Sequence, residues 1–469
     1  MPPAAPASAA SPASAASDRG ASMRRLWVLM ATVFVDMMGA MIVLPLLPFY
    51  AIRLGAGKSW VVGMLISAFL VTQLATSPLW GRLSDRYGRR PMILAGLVLS
   101  AAAYVPFGLA RSLWLLFFSR LVQGAGSGTT GVVQAYVSDS IEPEERAKAL
   151  GWVTAAASAG VAIGPTIGSF AFSYFGRSAP GYFAAGLCVV NYLFASRWLP
   201  ESRPHDEAGA AAAPRRSLRH AIWDILRHPT SPVGSLIWVY SIGMMAFFSM
   251  NGVLALYLGQ VYGVTEKTIG WFYTYVGVIS LVMRALLLGP AVRRFGEVRA
   301  MRLGALSLAL GMAGAPLPAW LDAPPAVRIG CMALAVLLVP VGTALLFPST
   351  TALVSRRSPR GEIGQVMGVQ QAFGGVARVL GPLWSTAAFG VNAGIPFWMA
   401  SAFMVGGGLL TLRLESEDRS ARPSSAPAIA VEASAPEPDQ ALAAPALAAP
   451  PDLAAADLAG TAAKAAEAE

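Results

Sequence analysis

Charge is what this chain has least of: Asp, Glu, Lys and Arg make up 13% of its 469 residues, where a water-facing domain carries roughly 25%. Paired with a mean hydropathy of +0.56, that poverty places much of the surface in lipid. Lysine is rarer still, at 4 residues against 31 arginines, which with abundant alanine points to a GC-rich bacterial genome and hence an inner membrane. Cysteine is limited to Cys188 and Cys331, both within apolar stretches. Two buried thiols or one disulfide are the alternatives, and buried thiols are the simpler. The histidines, His205, His220 and His228, crowd into one central segment, so no zinc set or imidazole-based triad assembles from them. No phosphate loop or nucleophile, base and orienter triplet is visible. The reading is a non-enzyme that needs no cofactor and no metal.

Long apolar runs, by contrast, are plentiful. A bilayer core about 30 Å thick needs about 20 apolar residues per helix. Twelve such stretches lie near 26–50, 60–80, 91–110, 112–138, 148–173, 181–199, 233–258, 268–289, 300–320, 326–354, 363–388 and 393–412. If residue 1 starts inside, 26 Lys and Arg fall in cytoplasmic segments, 6 in external loops and 3 within spans. The positive-inside rule then puts both termini in the cytoplasm. The net charge of +10 is thereby explained by anionic headgroups, with no nucleic-acid partner.

Internal repetition divides the chain. Gly151 and Gly164-Pro165 recur 217 residues later as Gly368 and Gly381-Pro382, and Gly81 to Gly88 recur 208 later as Gly289 to Gly296. Repeated halves around a central site are typical of secondary transporters. The expected parts are an unstructured segment 1–23, a six-helix bundle 24–199, a linker 200–232, a second bundle 233–414 and an unstructured tail 415–469. Segment 1–23 lacks the apolar core of a signal peptide. Within the linker Leu218, Ile222, Ile225 and Leu226 fall at helical spacing beside Arg215, Arg216, Arg219 and Arg227, which predicts a short helix on the inner leaflet. It is read as a strut between halves or simply as a basic linker.

Two charges fall deep in the spans. Arg120 stands nine residues after Arg111, about 14 Å into the bilayer, and Asp36 eleven residues after Arg25, about 16 Å in from the other face. Asp36 is the one acid deep within any span. A charge there is expensive, so pairing or neutralisation is expected. A carboxyl withdrawn from water that takes up and releases protons is a coupling site; the plainer role is a fixed partner that positions helices.

The loop after the second span reads Gly81-Arg82-Leu83-Ser84-Asp85-Arg86-Tyr87-Gly88-Arg89-Arg90. It closely resembles the loop signature of the major facilitator superfamily. That resemblance implies an all-α integral membrane protein with twelve transmembrane helices in two pseudo-symmetric six-helix bundles. It further implies that Asp85 docks near Gly361–Gly364 at the start of the eleventh helix, where the dipole favours an anion. Arg89 would pair with Asp139, and the contacts would latch the outward-facing state. In the second copy Arg293 replaces the aspartate, which removes the basis for a mirror-image latch. Arg120 with Gln123-Gly124 is similar to the family's fourth-span signature. Gly151, Gly160, Gly164, Pro165 and Gly168 resemble the fifth-span signature of the drug:proton antiporter branch. Asp36-Met37-Met38-Gly39 and Pro45-Leu46-Leu47-Pro48 resemble the first span of tetracycline-efflux proteins. Those proteins carry a further acid in span three, where this chain has Ala102-Ala103-Tyr104, so tetracycline as a metal chelate is not the expected cargo.

Substrate candidates are polar or aromatic residues of cavity-lining spans: Phe34, Gln73, Gln134, Phe248, Asn251, Tyr275, Gln370, Gln371 and Phe373. Each is alternatively an interhelical contact. Arg284 and Arg378 add two span cations, which predicts a net positive cavity; Arg284, near Gly289, alternatively snorkels to the headgroups. The leading expectation is a monomeric exporter of a small amphipathic or drug-like molecule, driven by protons through alternating access. The alternatives are a proton-coupled or facilitative importer of a metabolite and a non-transporting scaffold or sensor.

Overall fold

Within hydrocarbon every backbone N–H and C=O needs an internal partner, and a helix supplies one at each residue. The computed structural model describes residues 12–202, 218–359 and 362–411, and among them there is helix and no strand. The chain runs through α1 (Pro12–Val43), α2 (Leu47–Arg53), α3 (Trp60–Tyr87), α4 (Arg89–Gly108), α5 (Leu113–Gly126), α6 (Thr130–Ser140), α7 (Pro143–Phe175) and α8 (Ala179–Trp198). It continues through α9 (Leu218–Arg227), α10 (Pro232–Tyr262), α11 (Ile269–Leu286), α12 (Leu288–Gly314), α13 (Pro325–Arg357), α14 (Ile363–Phe389) and α15 (Ile395–Leu410). Nine of these segments are long and apolar enough to cross a membrane, and Ile395–Leu410 is a shorter apolar helix. The two other expected spans are α14 and the pair α5–α6, which a 3-10 turn at Ser127–Thr129 interrupts.

That interruption follows from the small residues of Gly126-Ser127-Gly128, and α3 satisfies the carbonyls it frees. Trp80 Nε1 donates to the Ala125 carbonyl at 2.6 Å, and Gln73 Nε2 to that of Ser127 at 3.3 Å. Two segments differ from expectation. Helix α1 begins at Pro12, so residues 12–22 extend a helix into the segment expected to lack structure; their alanines favour helix once α1 supplies the nucleus. Helix α9 lies within the linker, whereas Arg215, Arg216 and the tail 415–469 lie outside the described residues.

Surface exposure fits a slab of lipid. Val190, Leu306 and Leu334 are 63%, 54% and 67% exposed in mid-helix. Exposed tryptophans mark both margins, Trp27, Trp152 and Trp198 at one and Trp114, Trp271 and Trp320 at the other, as amphipathic rings do at headgroup level. We call the first margin, which holds the α3–α4 turn and the end of α8, the basic end.

The repeat is also a repeat of contacts. Gly164 of α7 lies against the α1 backbone at Met38 and Met41, and Gly381 of α14 lies against the α10 backbone at Met245 and Ser249. Gly270 of α11 packs on Pro165 and Ser169, and Gly63 of α3 packs on Pro382 and Thr386. Positions 165 and 169 shifted by 217 are 382 and 386, and position 63 shifted by 207 is 270. The pseudo-symmetry is thus carried by specific close approaches as well as by helix order.

Candidate functional site

At the basic end, Gly88 joins α3 to α4 with φ +96°, a conformation that favours glycine. The turn aims Arg89, 7% exposed, back beneath α3. Its Nε donates to Asp139 Oδ2 at 3.0 Å, and its Nη1 reaches Asp85 Oδ1 at 2.7 Å and Ser84 Oγ at 2.6 Å. Glu201 caps α4: its carboxylate accepts from the backbone N–H of Arg89 at 2.9 Å and of Arg90 at 3.2 Å, where the helix dipole favours an anion. The sequence reading passed over Glu201, although an acid directly after a span and beside a basic loop was a usable signal. Arg86 stacks over Tyr87 at 5.4 Å, and Gly81 borders open space. Of the expected dock for Asp85, Gly361 lies outside the described residues, and a Cβ at Gly364 would meet nothing within 4 Å.

Deeper, Gly160, Gly164 and Gly168 stand one turn apart on α7 and accept the α1 backbone. Cβ atoms there would collide with the carbonyls of Phe34, Met38 and Ile42 in turn. This seat fixes the stretch of α1 that carries Asp36. Asp36 is half-buried and, among the described residues, has no ion-pair or hydrogen-bond partner. Arg120 is 3% exposed, lies over the Phe107 ring at 5.0 Å, and leaves Nε and Nη2 without acceptors. The structure therefore does not bring Asp36 and Arg120 together as a pair. Tyr104 links the two helices: its hydroxyl accepts from Gln123 Nε2 at 2.6 Å, and Gly39, one turn past Asp36, faces its ring.

The other end is bound shut. Ser59 and Ser67 of α3 donate to the Thr386 and Val379 carbonyls of α14, each at 2.8 Å. On the opposite flank Ser169 Oγ accepts from Gly270 N at 2.9 Å, and Thr166 bonds Thr274. Arg53 Nη2 meets Glu266 Oε1 at 2.7 Å, with Glu266 6% exposed and Arg53 also over the Phe172 ring. Nearer the basic end Leu74 packs on Gly375, and Arg284 Nη1 approaches Ser158 Oγ at 3.5 Å. Beyond them Gly81, Gly151, Gly289 and Gly364 border open space.

The substrate candidates divide. Gln73 is held by the Ser127 carbonyl of the 3-10 turn, Tyr275 donates to Ala333 O at 3.1 Å, Asn251 to Phe247 O one turn earlier at 2.9 Å, and buried Gln370 to Thr351 at 3.2 Å. Phe373 packs edge-on against Trp238 at 5.6 Å and, with Ile222 and Leu226 of α9, lines an apolar cavity of about 400 Å³. Phe34 and Phe248 are half-buried, Phe248 against Phe247. Gln134 and Gln371 are exposed and Arg378 is half-buried. Cys188 and Cys331 are free thiols.

A lipid-embedded helical pair of bundles with a cleft between them is the architecture of a multi-pass membrane transporter. The sequence pattern of the Major Facilitator Superfamily matches residues 29–382, and the chain belongs to that family. It is a transporter of small molecules and not an enzyme. It is 29% identical over 391 residues to multidrug resistance protein 2 of Bacillus subtilis, covering 82% of this chain and 94% of that one. It is 28% identical over 416 residues to the class C tetracycline resistance protein of Escherichia coli, covering 85% and 98%. The crystal structure of the human organic anion transporter MFSD10 superposes with a TM-score of 0.62 at 22% identity, covering 83% and 99%.

Two predictions follow from the packing. Gly164→Leu, forced against α1, lowers the thermal unfolding midpoint of the purified protein by several degrees, because overpacking costs about 1–3 kcal/mol. Gly151→Leu, facing open space, leaves it unchanged. Arg53→Glu weakens the closed end and lengthens the distance between spin labels at Gly57→Cys and Val391→Cys; adding Glu266→Arg restores the pair and the shorter distance.

Proposed function

We propose that this protein exports a small amphipathic molecule across the plasma membrane in exchange for protons. Residues 24–199 and 233–414 rock as two bodies about the cleft, and the 200–232 segment links them as a strut. The basic end faces the cytoplasm, with both termini there, because most of the arginine lies at that margin. In this cycle a cleft between the halves opens to the cytoplasm to admit cargo, and Asp85 beside the Gly88–Arg89–Asp139 cluster latches the outward-facing state. A monomer suffices for this cycle.

The observation that carries the reading is Asp36. It is the one acid deep in the spans, it has no cation partner among the described residues, and it sits on the helix that α7 grips most closely. A carboxyl in that setting is stable when neutral and strained when charged. Protonation thereby changes the cost of its surroundings, which is the differential interaction a conformational switch requires. Arg120, buried behind Tyr104 with two unbonded nitrogens, is the group to which a charged Asp36 would turn when the helices shift. The multidrug and tetracycline resistance proteins to which the chain is similar support export over import.

The test uses the protein in vesicles with an internal pH dye, challenged with candidate solutes. Wild type shows solute-evoked proton movement, and Asp36→Asn at equal incorporation loses it while still binding solute. Solute flux with no proton movement in either protein sinks the antiport reading and supports facilitated transport.

A further inference from the structure

The polar side chains of the second half gather where α10 meets α14. Gly374 lies against Tyr240 so closely that a Cβ would stand 2.6 Å from the ring edge. The Tyr240 ring is 4% exposed and packs edge-on against Phe347 at 5.5 Å, so its hydroxyl has a fixed position. Gln371 and Arg378 stand one helical turn to either side of Gly374, on the helix that packs against this ring. The Arg378 Nε donates to the Gly374 carbonyl at 3.3 Å. An amide and a guanidinium of α14 thus flank a phenol of α10 whose ring packing holds in place.

Arg378 is the member with unused capacity. A guanidinium offers five N–H donors in a planar fork, and the Gly374 carbonyl takes one. No carboxylate pairs with Arg378 among the described residues. Helices α10, α11, α13, α14 and α15 contain no Asp or Glu. A cation at span depth without a counter-ion is costly, and here the neighbouring Gln371 is exposed, so the cluster borders open space. Asp36 makes no ion pair with Arg378.

We propose that Arg378, Tyr240 and Gln371 form an anion subsite, and that the cargo is an amphipathic organic acid or zwitterion whose carboxylate, sulfonate or phosphate is held there. The fork of Arg378 receives two anion oxygens, Gln371 donates through its amide, and the Tyr240 hydroxyl fixes the angle of approach. The half-buried rings of Phe247 and Phe248 on α10 offer the apolar body a wall. This names the class of cargo for the export proposed above and rests on that reading only for the direction of movement.

The experiment measures binding at equilibrium, where proton coupling plays no part. Full-length protein in phosphatidylcholine nanodiscs is titrated with fluorescent pyrenebutyrate, its methyl ester and pyrenemethylammonium. Wild type binds the acid more tightly than the ester or the ammonium. Arg378→Gln weakens the acid by about 10- to 100-fold, the loss expected for a hydrogen bond to a charged group, and leaves the ester unchanged. Tyr240→Phe, which keeps the ring on Gly374, weakens the acid a few-fold. Equal wild-type affinity for acid and ester overturns the subsite without recourse to any variant, as does an equal loss of both in Arg378→Gln. Displacement of the probe by added phosphatidylglycerol, but not by soluble acids, overturns the cargo assignment in favour of a lipid headgroup. Anion selectivity without proton movement in vesicles sinks only the antiport reading; Asp36-dependent proton movement without anion selectivity sinks only this one.

Discussion

Gly160, Gly164 and Gly168 lie one turn apart on α7 and leave no side chain between that helix and the backbone of α1. Lipid offers apolar helices no solvent-driven reason to associate, so contact at this range supplies the dispersion energy that holds them. The consequence for chemistry is positional. Asp36 sits between the first two of these contacts along α1, and any movement of α7 carries it. Had α1 rested on large side chains, the carboxyl would tolerate independent motion, and a change in its protonation would be lost in local repacking.

The closed end rests on a different balance. Its contacts between halves are mostly hydroxyls donating to carbonyls, Ser59 and Ser67 to α14 and Ser169 with Gly270 on the other flank. Each such bond contributes about 1 kcal/mol net, enough together to define a state and little enough singly to be exchanged. The Arg53–Glu266 pair adds charge to that set. With Glu266 6% exposed, separating the pair strands a desolvated carboxylate, which makes breaking it costlier than making it is favourable. The pair therefore acts more as a check on opening than as a source of stability.

The fold was legible because the bilayer leaves few options. All twelve apolar stretches lie in helix within the described residues, and the motifs they carry gave the family resemblance that residues 29–382 bear out. Local chemistry also showed through, since Gly88 and Arg89 lie within one short motif. Contacts between residues far apart in sequence were not legible. Glu201 caps a helix more than a hundred residues earlier, and Arg53 meets Glu266 across the whole first half. The depth of Asp36 and Arg120 was read from residue counts, but counts give height and not azimuth. The two do not meet as an ion pair, and Tyr104 packs beside Gly39 of α1 while bonding Gln123 of α5. The 3-10 turn at Ser127–Thr129 was hidden because its freed carbonyls are satisfied by α3, which hydropathy does not record.

Symmetry and chemistry part company in this chain. Gly63 on Pro382 and Thr386 repeats Gly270 on Pro165 and Ser169, so the two flanks that open and close are built alike and offer matched resistance. The charged groups follow no such rule. Helix α10, which takes the place against α14 that α1 takes against α7, has no Asp or Glu at all. Arg378 falls where the α7 repeat has Val161. A duplicated frame gives the motion, and it constrains backbone approaches that must match on both sides. Side chains facing the cleft are free of that constraint, since each needs only to avoid a clash in either state. The acid on α1 and the cation on α14 are thus compatible with one duplicated frame of backbone approaches.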